Sequence, residues 1–455
     1  MKKHFSTKTV FFNLLSILAQ TRFAVLKNTK TLYASLLVTA LANSAASQAV
    51  AQMAKDQIVN VSPAEPIIKV PSNFKTTIVA DGLGKARHLT VTDGGDVYVR
   101  LAKPVDGGGT VFLRDTDGDG KMDQQKSFGD FGGTGVALDK EYLYTSSNSE
   151  VFRYKLNANQ EVVNADKPER IIKGLTDKGT HATKSLVLDK NGNIYVGIGA
   201  PSNACQVKDR TKGSPGMMPC AMLDSMGGIW QFKTTKPDQI LKDGVHYATG
   251  IRNMVGMDWN GQTNSLFIMQ HGRDQLNTLF PDMYTDQQSA ILPAEAMYEL
   301  KKGADAGWPY IYYDQNQKKK VVMPEYGGDG KKEGSSKYID PAAAYPGHMA
   351  PNGLLFYTGT QFPEKYRNGA FIAFHGSWNR APAPQAGYFV VFQPFKNGKA
   401  SGDWEVFANN FAGMDTVMSP SSAMHRPCGL AQGPDGSLYV ADDVKGTVYK
   451  ISYAK

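Results

Sequence analysis

The amino-acid sequence predicts an all-β protein, a six-bladed propeller with its functional site in a central channel. Three observations carry that reading: strand-length apolar runs separated by turn residues, a scarcity of helical periodicity, and one motif that returns about six times.

The chain's 455 residues, 41% hydrophobic and 20% charged, suit a large folded body and exclude a wholly disordered one. The formal charge of +8 is concentrated at the start. Residues 1–52 hold six of the 50 Lys/Arg and none of the 42 Asp/Glu, so the remainder carries 44 against 42, or +2. Nucleic acid is not implied as a partner.

Residues 1–52 also contain "VFFNLLSIL", "LYASLLVTALA" and the small-residue stretch "NSAASQAVAQ". Basic residues, short apolar runs and a small-residue cleavage pattern read as an export signal, placing the mature protein in the periplasm or outside the cell. Neither run reaches the ~20 apolar residues of a membrane-spanning helix. Residues 53–73 read as an irregular arm, and residues 74–455 as the propeller.

The best copies of the repeat are "RHLTVTDGGDVYV" from Arg87, "HATKSLVLDKNGNIYV" from His181 and "RPCGLAQGPDGSLYV" from Arg426. Weaker copies begin at Gly133, Arg252 and Ala350. A recurring strand–turn–strand unit with variable insertions is the pattern of propeller blades. The innermost strands of successive blades surround one channel, so residues opening those strands, Arg87, His181, Arg252 and Arg426, are expected to meet at its mouth. Arginine forks match carboxylates, and a neutral imidazole can accept a proton near pH 7. These features suit an enzyme acting beside an anionic ligand and equally a binding propeller.

Export permits thiols to pair. Cys205 and Cys220 flank a Gly/Pro-containing loop, where a disulfide would contribute roughly 3 kcal/mol, and Cys428 is left over. No C-x-x-C-H haem motif and no zinc spacing occurs. "DTDGDGKMD" offers Asp115, Asp117, Asp119 and Asp123 as a candidate structural Ca2+ loop. Its twelfth position is Lys126 rather than Glu, so an EF-hand is not expected. Trp308 in "AGWPY" reads as a packed aromatic bracing the channel more than as a sugar-stacking wall.

The ordered strings "GIRNMVGMDWN", "GADAGWPYIYYD", "APNGLLFYTGTQFPEKYRNGAFIAFHGSWNR" and "RPCGLAQGPDGSLYVADDVKGTVYKIS" closely resemble the sorbosone dehydrogenase and aldose sugar dehydrogenase group of soluble enzymes that use pyrroloquinoline quinone (PQQ). The resemblance runs from about Phe74 to the C-terminus. It implies a six-bladed propeller with the quinone and a Ca2+ at the channel mouth, and oxidation of an aldose or related sugar. By the same resemblance His181 is the general base, and Arg252, Asn253, Arg426, Arg380, Arg87 and Lys184 contact the cofactor. The segment Gly272, Arg273 and Asp274 occupies the position of the calcium-binding loop. Electrons would pass to an external acceptor, a soluble cytochrome c or a quinone, from a monomer or homodimer. The rival readings are a metal-dependent propeller lactonase, which needs side-chain Asp/Glu/Asn ligands converging on the channel, and a non-catalytic glycan- or protein-binding propeller.

Overall fold

Besides a two-stranded hairpin, Ile311–Asp314 with Lys319–Val322, six mainly antiparallel sheets follow one another along the described residues, each beginning with its innermost strand. These innermost strands are Ala86–Val91, Val136–Leu138, Leu186–Leu188, Met254–Asn260, Pro351–Phe356 and Pro427–Gln432, which open blades 1 to 6. They touch in cyclic order, blade 6 against blade 1 included, which makes the arrangement a closed six-bladed β-propeller. The computed structural model describes residues 67–454; the predicted export leader lies outside them. Among the described residues no helix is long and apolar enough to cross a membrane.

The ring closes through the N-terminal strand. Phe74–Ala80 pairs antiparallel with Val448–Tyr453 and completes blade 6, from Phe74 opposite Tyr453 to Ala80 opposite Val448. Each blade has at least four strands, blade 3 adding Ala304–Asp305 in parallel pairing, and apolar residues on both sheet faces are buried between neighbouring blades. The returning "Tyr-Val" of the repeat serves that packing. Tyr98, Tyr144, Tyr195 and Tyr439 lie on second strands and are all buried. The hydroxyls of Tyr98, Tyr144 and Tyr195 donate to the Gln160 carbonyl at 2.9 Å, to Asp139 at 3.0 Å and to Asp189 at 3.1 Å.

Strand register gives the channel a defined neck. Leu89, Val136, Leu186, Met257, Leu354 and Leu430 each pair with the middle of their blade's second strand. One residue earlier stand His88, Gly135, Ser185, Gly256, Gly353 and Gly429. A Cβ at Gly135 would lie 2.3 Å from the Lys184 carbonyl oxygen, and one at Gly353 2.3 Å from that of Cys428. Apart from His88, the residues at this level are small, which lets adjacent inner strands approach. Beyond it, all six inner strands line a cavity of about 330 Å³ that includes Asp258.

Arg100 fastens blade 1 to blade 2. Its fully buried guanidinium donates to the carbonyls of Gly109 (2.5 Å), Phe131 (3.1 Å) and Ser146 (2.8 Å) and to the Thr110 hydroxyl (2.8 Å), with no carboxylate among these partners. Trp308 is buried as expected, its indole N–H donating to the Asn203 carbonyl at 3.0 Å.

Candidate active site

The loop ahead of the blade 3 inner strand carries His181 in the left-handed backbone region, at φ 55°. Its Nδ1 lies 2.6 Å from the Ala200 carbonyl oxygen. A carbonyl only accepts, so Nδ1 carries the proton and Nε2 keeps the lone pair. Burial, and after it the nearby Arg252 charge, pushes the pKa down to about 4, leaving the ring neutral. Gly199 brings His181 and Asn253 together: a Cβ there would lie 2.8 Å from His181 Cβ and 3.0 Å from Asn253 Oδ1. Asn253 donates through Nδ2 to His271 Nδ1 at 3.4 Å, while its buried Oδ1 has no partner. The buried Oδ1 of Asn253 and the Nε2 of His181 are both free to accept a hydrogen bond.

Arg252 is buried just before the blade 4 inner strand. It donates to the Gly272 carbonyl and to Asp274 Oδ2, both at 2.7 Å. Asp274 also receives Arg210 at 2.7 Å and Asn379 Nδ2 at 2.5 Å. Burial opposes its charge, but Arg252, then His348 and Arg210, hold its carboxyl well below the usual range. Arg210 sits on the loop closed by the Cys205–Cys220 disulfide, and Asn379 on the blade 5 loop, so Asp274 ties three loops together. Cys428 is free and buried.

The segment expected to form the calcium loop is held by contacts within the chain. Asp274 accepts at both carboxylate oxygens, at Oδ2 from Arg210 and Arg252 and at Oδ1 from Asn379, so its charge is already compensated within the chain. The Arg273 side chain is locked in a buried pair with Glu325 at 2.6 Å. The main-chain oxygen of Gly272 accepts from Arg252, and that of Arg273 has no hydrogen-bond partner among the described residues.

Arg87 and Arg426 approach from blades 1 and 6. Arg87 pairs with Asp443 at 2.5 Å, and the other oxygen of Asp443 lies 2.7 Å from His375 Nε2. Arg426 donates to the carbonyls of His375 (3.1 Å) and Gly376, and packs over the Tyr388 ring at 5.8 Å. Both arginines therefore converge on His375. His271 adjoins both groups: burial, followed by the proximity of His181, Arg252 and His375, pushes its pKa down to about 3.

Lys184 and Arg380 stand apart from these contacts. Lys184 is buried, donates to the Ala182 carbonyl and is pulled down by burial to about 8. Arg380 donates to the carbonyls of Ala290 (2.5 Å), Pro384 (3.0 Å) and Gly347 (3.2 Å) and so anchors its own loop. Sequence reasoning missed His271, His375, Asp443, Arg210 and Asn203, whose Oδ1 accepts from the Asp274 N–H at 2.8 Å and from Arg252 at 3.2 Å. The strings "AFHGS" and "VADD" held His375 and Asp443 in plain view, but no spacing linked them.

In the turn of blade 1, Asp115, Asp117 and Asp119 bring one oxygen each within 4.8 Å of one another. Asp123 is not in that group; it accepts from the Thr116 N–H at 2.8 Å and from its hydroxyl. Asp115 accepts from the Gly118 and Gly120 N–H groups, which fixes the turn.

Comparison with known proteins places this architecture. A PQQ-dependent pyranose dehydrogenase of Coprinopsis cinerea is 27% identical over 279 residues, covering 52% of this chain; the chain matches only 36% of that enzyme's length. The holo form of its pyranose dehydrogenase PQQ domain superposes with a TM-score of 0.64 at 19% identity, covering 86% of this chain and 99% of that one. A calcium structure of a Trichoderma reesei enzyme of Carbohydrate-Active Enzymes Family AA12 superposes with a TM-score of 0.70 at 16% identity, covering 87% of this chain and all of that one. The TrAA12-like family model matches residues 68–454, nearly the whole described chain, and the protein therefore belongs to the TrAA12-like family.

Proposed function

We propose that the protein is a PQQ-dependent sugar dehydrogenase that oxidises a carbinol of an aldose or related sugar, with His181 as general base. The observation that carries this reading is the His181–Asn253 pair: a neutral imidazole with one nitrogen fixed by Ala200 and the other open, beside an orphan buried acceptor. Family membership and the quinone named in the pyranose dehydrogenase relative support it.

The quinone, when bound, supplies the hydride acceptor. The chain supplies the rest. His181 Nε2 takes the hydroxyl proton, the kind of transfer worth ~10²- to 10⁴-fold in rate. Arg426 keeps Nη1 without a partner among the described residues and, with Asn253, would hold the cofactor; its anionic carboxylates suit the cations at the mouth. Arg252 positions the Gly272 loop from behind. A calcium ion would use the main-chain oxygens of Gly272 and Arg273, hard donors of the type that ion takes. Export of the mature chain and transfer of electrons to a separate acceptor complete the reading.

A lactonase is disfavoured because the mouth carboxylates Asp274 and Asp443 are both paired with guanidiniums. Mixing purified protein with PQQ and Ca2+, recording the absorbance spectrum, and then following dye reduction across an aldose panel tests the proposal. Quinone-dependent dye reduction is the expected result. Lactone hydrolysis without quinone, or no spectral change on mixing, would overturn it.

A further inference from the structure

A carbinol oxidised to a carbonyl gives up its hydroxyl proton and its carbon-bound hydrogen, which together amount to two protons and two electrons. His181 accounts for one of those protons. We infer that His375 is the second proton-transfer group of the site, with its tautomer set by Asp443 and its backbone held by Arg426. The inference rests on the dehydrogenase reading above.

The geometry of His375 parallels that of His181. Asp443 places one oxygen 2.7 Å from His375 Nε2 and the other 2.5 Å from Arg87 Nη1. An ionised carboxylate only accepts, so Nε2 carries the proton and Nδ1 the lone pair. Burial opposes the charge on Asp443, but His375 and Arg87 hold its carboxyl well below the usual range, so it is ionised. Nδ1 has no partner among the described residues, and it is absent from the enclosed side-chain atoms that lack one. Arg426 fixes the main chain on both sides through the carbonyls of His375 and Gly376. The groups facing the ring are Asp443, Arg87, Arg426 and His271. Burial foremost keeps His375 neutral and able to accept. Each imidazole thus has one nitrogen tied to a fixed acceptor and the other open, with His271 beside both.

The proton balance assigns each its part. The hydroxyl proton goes to Nε2 of His181. The carbon-bound hydrogen would pass with its electron pair to the bound quinone; once two equivalents of an external one-electron acceptor, or one of an external quinone, have removed both electrons, that hydrogen remains as the second proton. His375 Nδ1 takes it and passes it to solvent.

Rapid mixing separates the two half-reactions: anaerobic reduction of the quinone-loaded protein by sugar, then re-oxidation by acceptor. In His375→Gln, reduction by sugar is expected within ~3-fold of the parent while re-oxidation slows at least ~10²-fold, as loss of a proton-transfer group predicts. Imidazole added to the buffer should restore part of it. Nitrogen-15 NMR of the quinone-free parent should show His375 as the Nε2–H tautomer, and Asp443→Asn should weaken that preference. This readout needs no turnover and decides the matter if His375→Gln fails to fold. Equal slowing of both half-reactions, no slowing of either, or an Nδ1–H tautomer in the parent would make His375 a staple between blades. A parent that no sugar reduces would sink this inference together with the dehydrogenase reading; with a parent that is reduced normally, the outcome bears on His375 alone.

Discussion

The carbonyl oxygen of Ala200 stands 2.6 Å from Nδ1 of His181, and this contact decides which ring nitrogen can take a proton. His181→Gln removes that acceptor while keeping a polar side chain. Turnover of a working aldose should fall ~10²- to 10⁴-fold with quinone affinity little changed. Steady-state kinetics beside a quinone titration check this, and turnover within a few-fold of the parent would place the base elsewhere.

The acid side of the pH profile carries a sign. With the His181 pKa pushed down to about 4, activity should persist below pH 6.5 and fall as pH drops through about 4, where the base becomes protonated. The same direction applies to stability. His88 (about 4), His181 (about 4) and His271 (about 3) all titrate below their unfolded value near 6.5. The support they give folding is fully present above pH 6.5 and is lost as pH falls through 4 to 3. Thermal melts across pH 7 to 4 measure it; a melting point flat over that range would contradict it.

Arg252 and Arg426 should respond differently to removal. Arg426→Ala deletes one charge-assisted contact to the cofactor, worth ~1.5 to 3 kcal/mol, so the apparent Kd for quinone should rise at least ~10-fold. Arg252→Ala leaves Asp274 buried without its foremost partner, a loss of ~3 to 5 kcal/mol in folding stability. Denaturant midpoints compared with quinone titrations distinguish the two. Identical behaviour of the variants would refute the division of labour.

Asp258, in the channel below the neck, has its carboxyl pushed up to about 7 by burial, although the N–H groups of Phe356 (2.7 Å) and Trp259 (2.8 Å) oppose this. Its contribution to folding is fully present below its unfolded value and is lost as pH rises through about 7. The melting temperature of Asp258→Asn relative to the parent should therefore shift in the variant's favour between pH 5 and pH 8. A difference independent of pH would mean the carboxyl is solvated there.

Arg100→Met would leave the carbonyls of Gly109, Phe131 and Ser146 short of their donor, at ~1 to 3 kcal/mol for each unsatisfied group. A drop of at least ~3 kcal/mol in unfolding free energy is expected, read from denaturant curves with activity per folded molecule unchanged.

The blades were legible in the sequence because each returns the same alternation of apolar residues and turn glycines, and all six predicted repeats coincide with the six innermost strands. His181 was legible because it precedes the best-formed repeat. The partners of Arg87 and Arg426 were not. Asp443 reaches Arg87 across 356 positions and His375 across 68, and such pairings arise only once the ring has closed. Arg252 illustrates the same limit: the sequence marks a cation at a strand opening but does not show that Asp274 and Gly272 already engage it.

The pairing of Phe74–Ala80 with Val448–Tyr453 also governs how the protein is made. The last blade borrows its outer strand from the first residues of the fold, so ring closure waits until synthesis of the C-terminal strand is complete. Early blades emerging from the ribosome present one uncovered flank until then, which makes closure a late step with high contact order. It also makes the seam portable: a circular permutant opened in a loop between two other blades, with the original ends joined, should build the same ring with its clasp elsewhere.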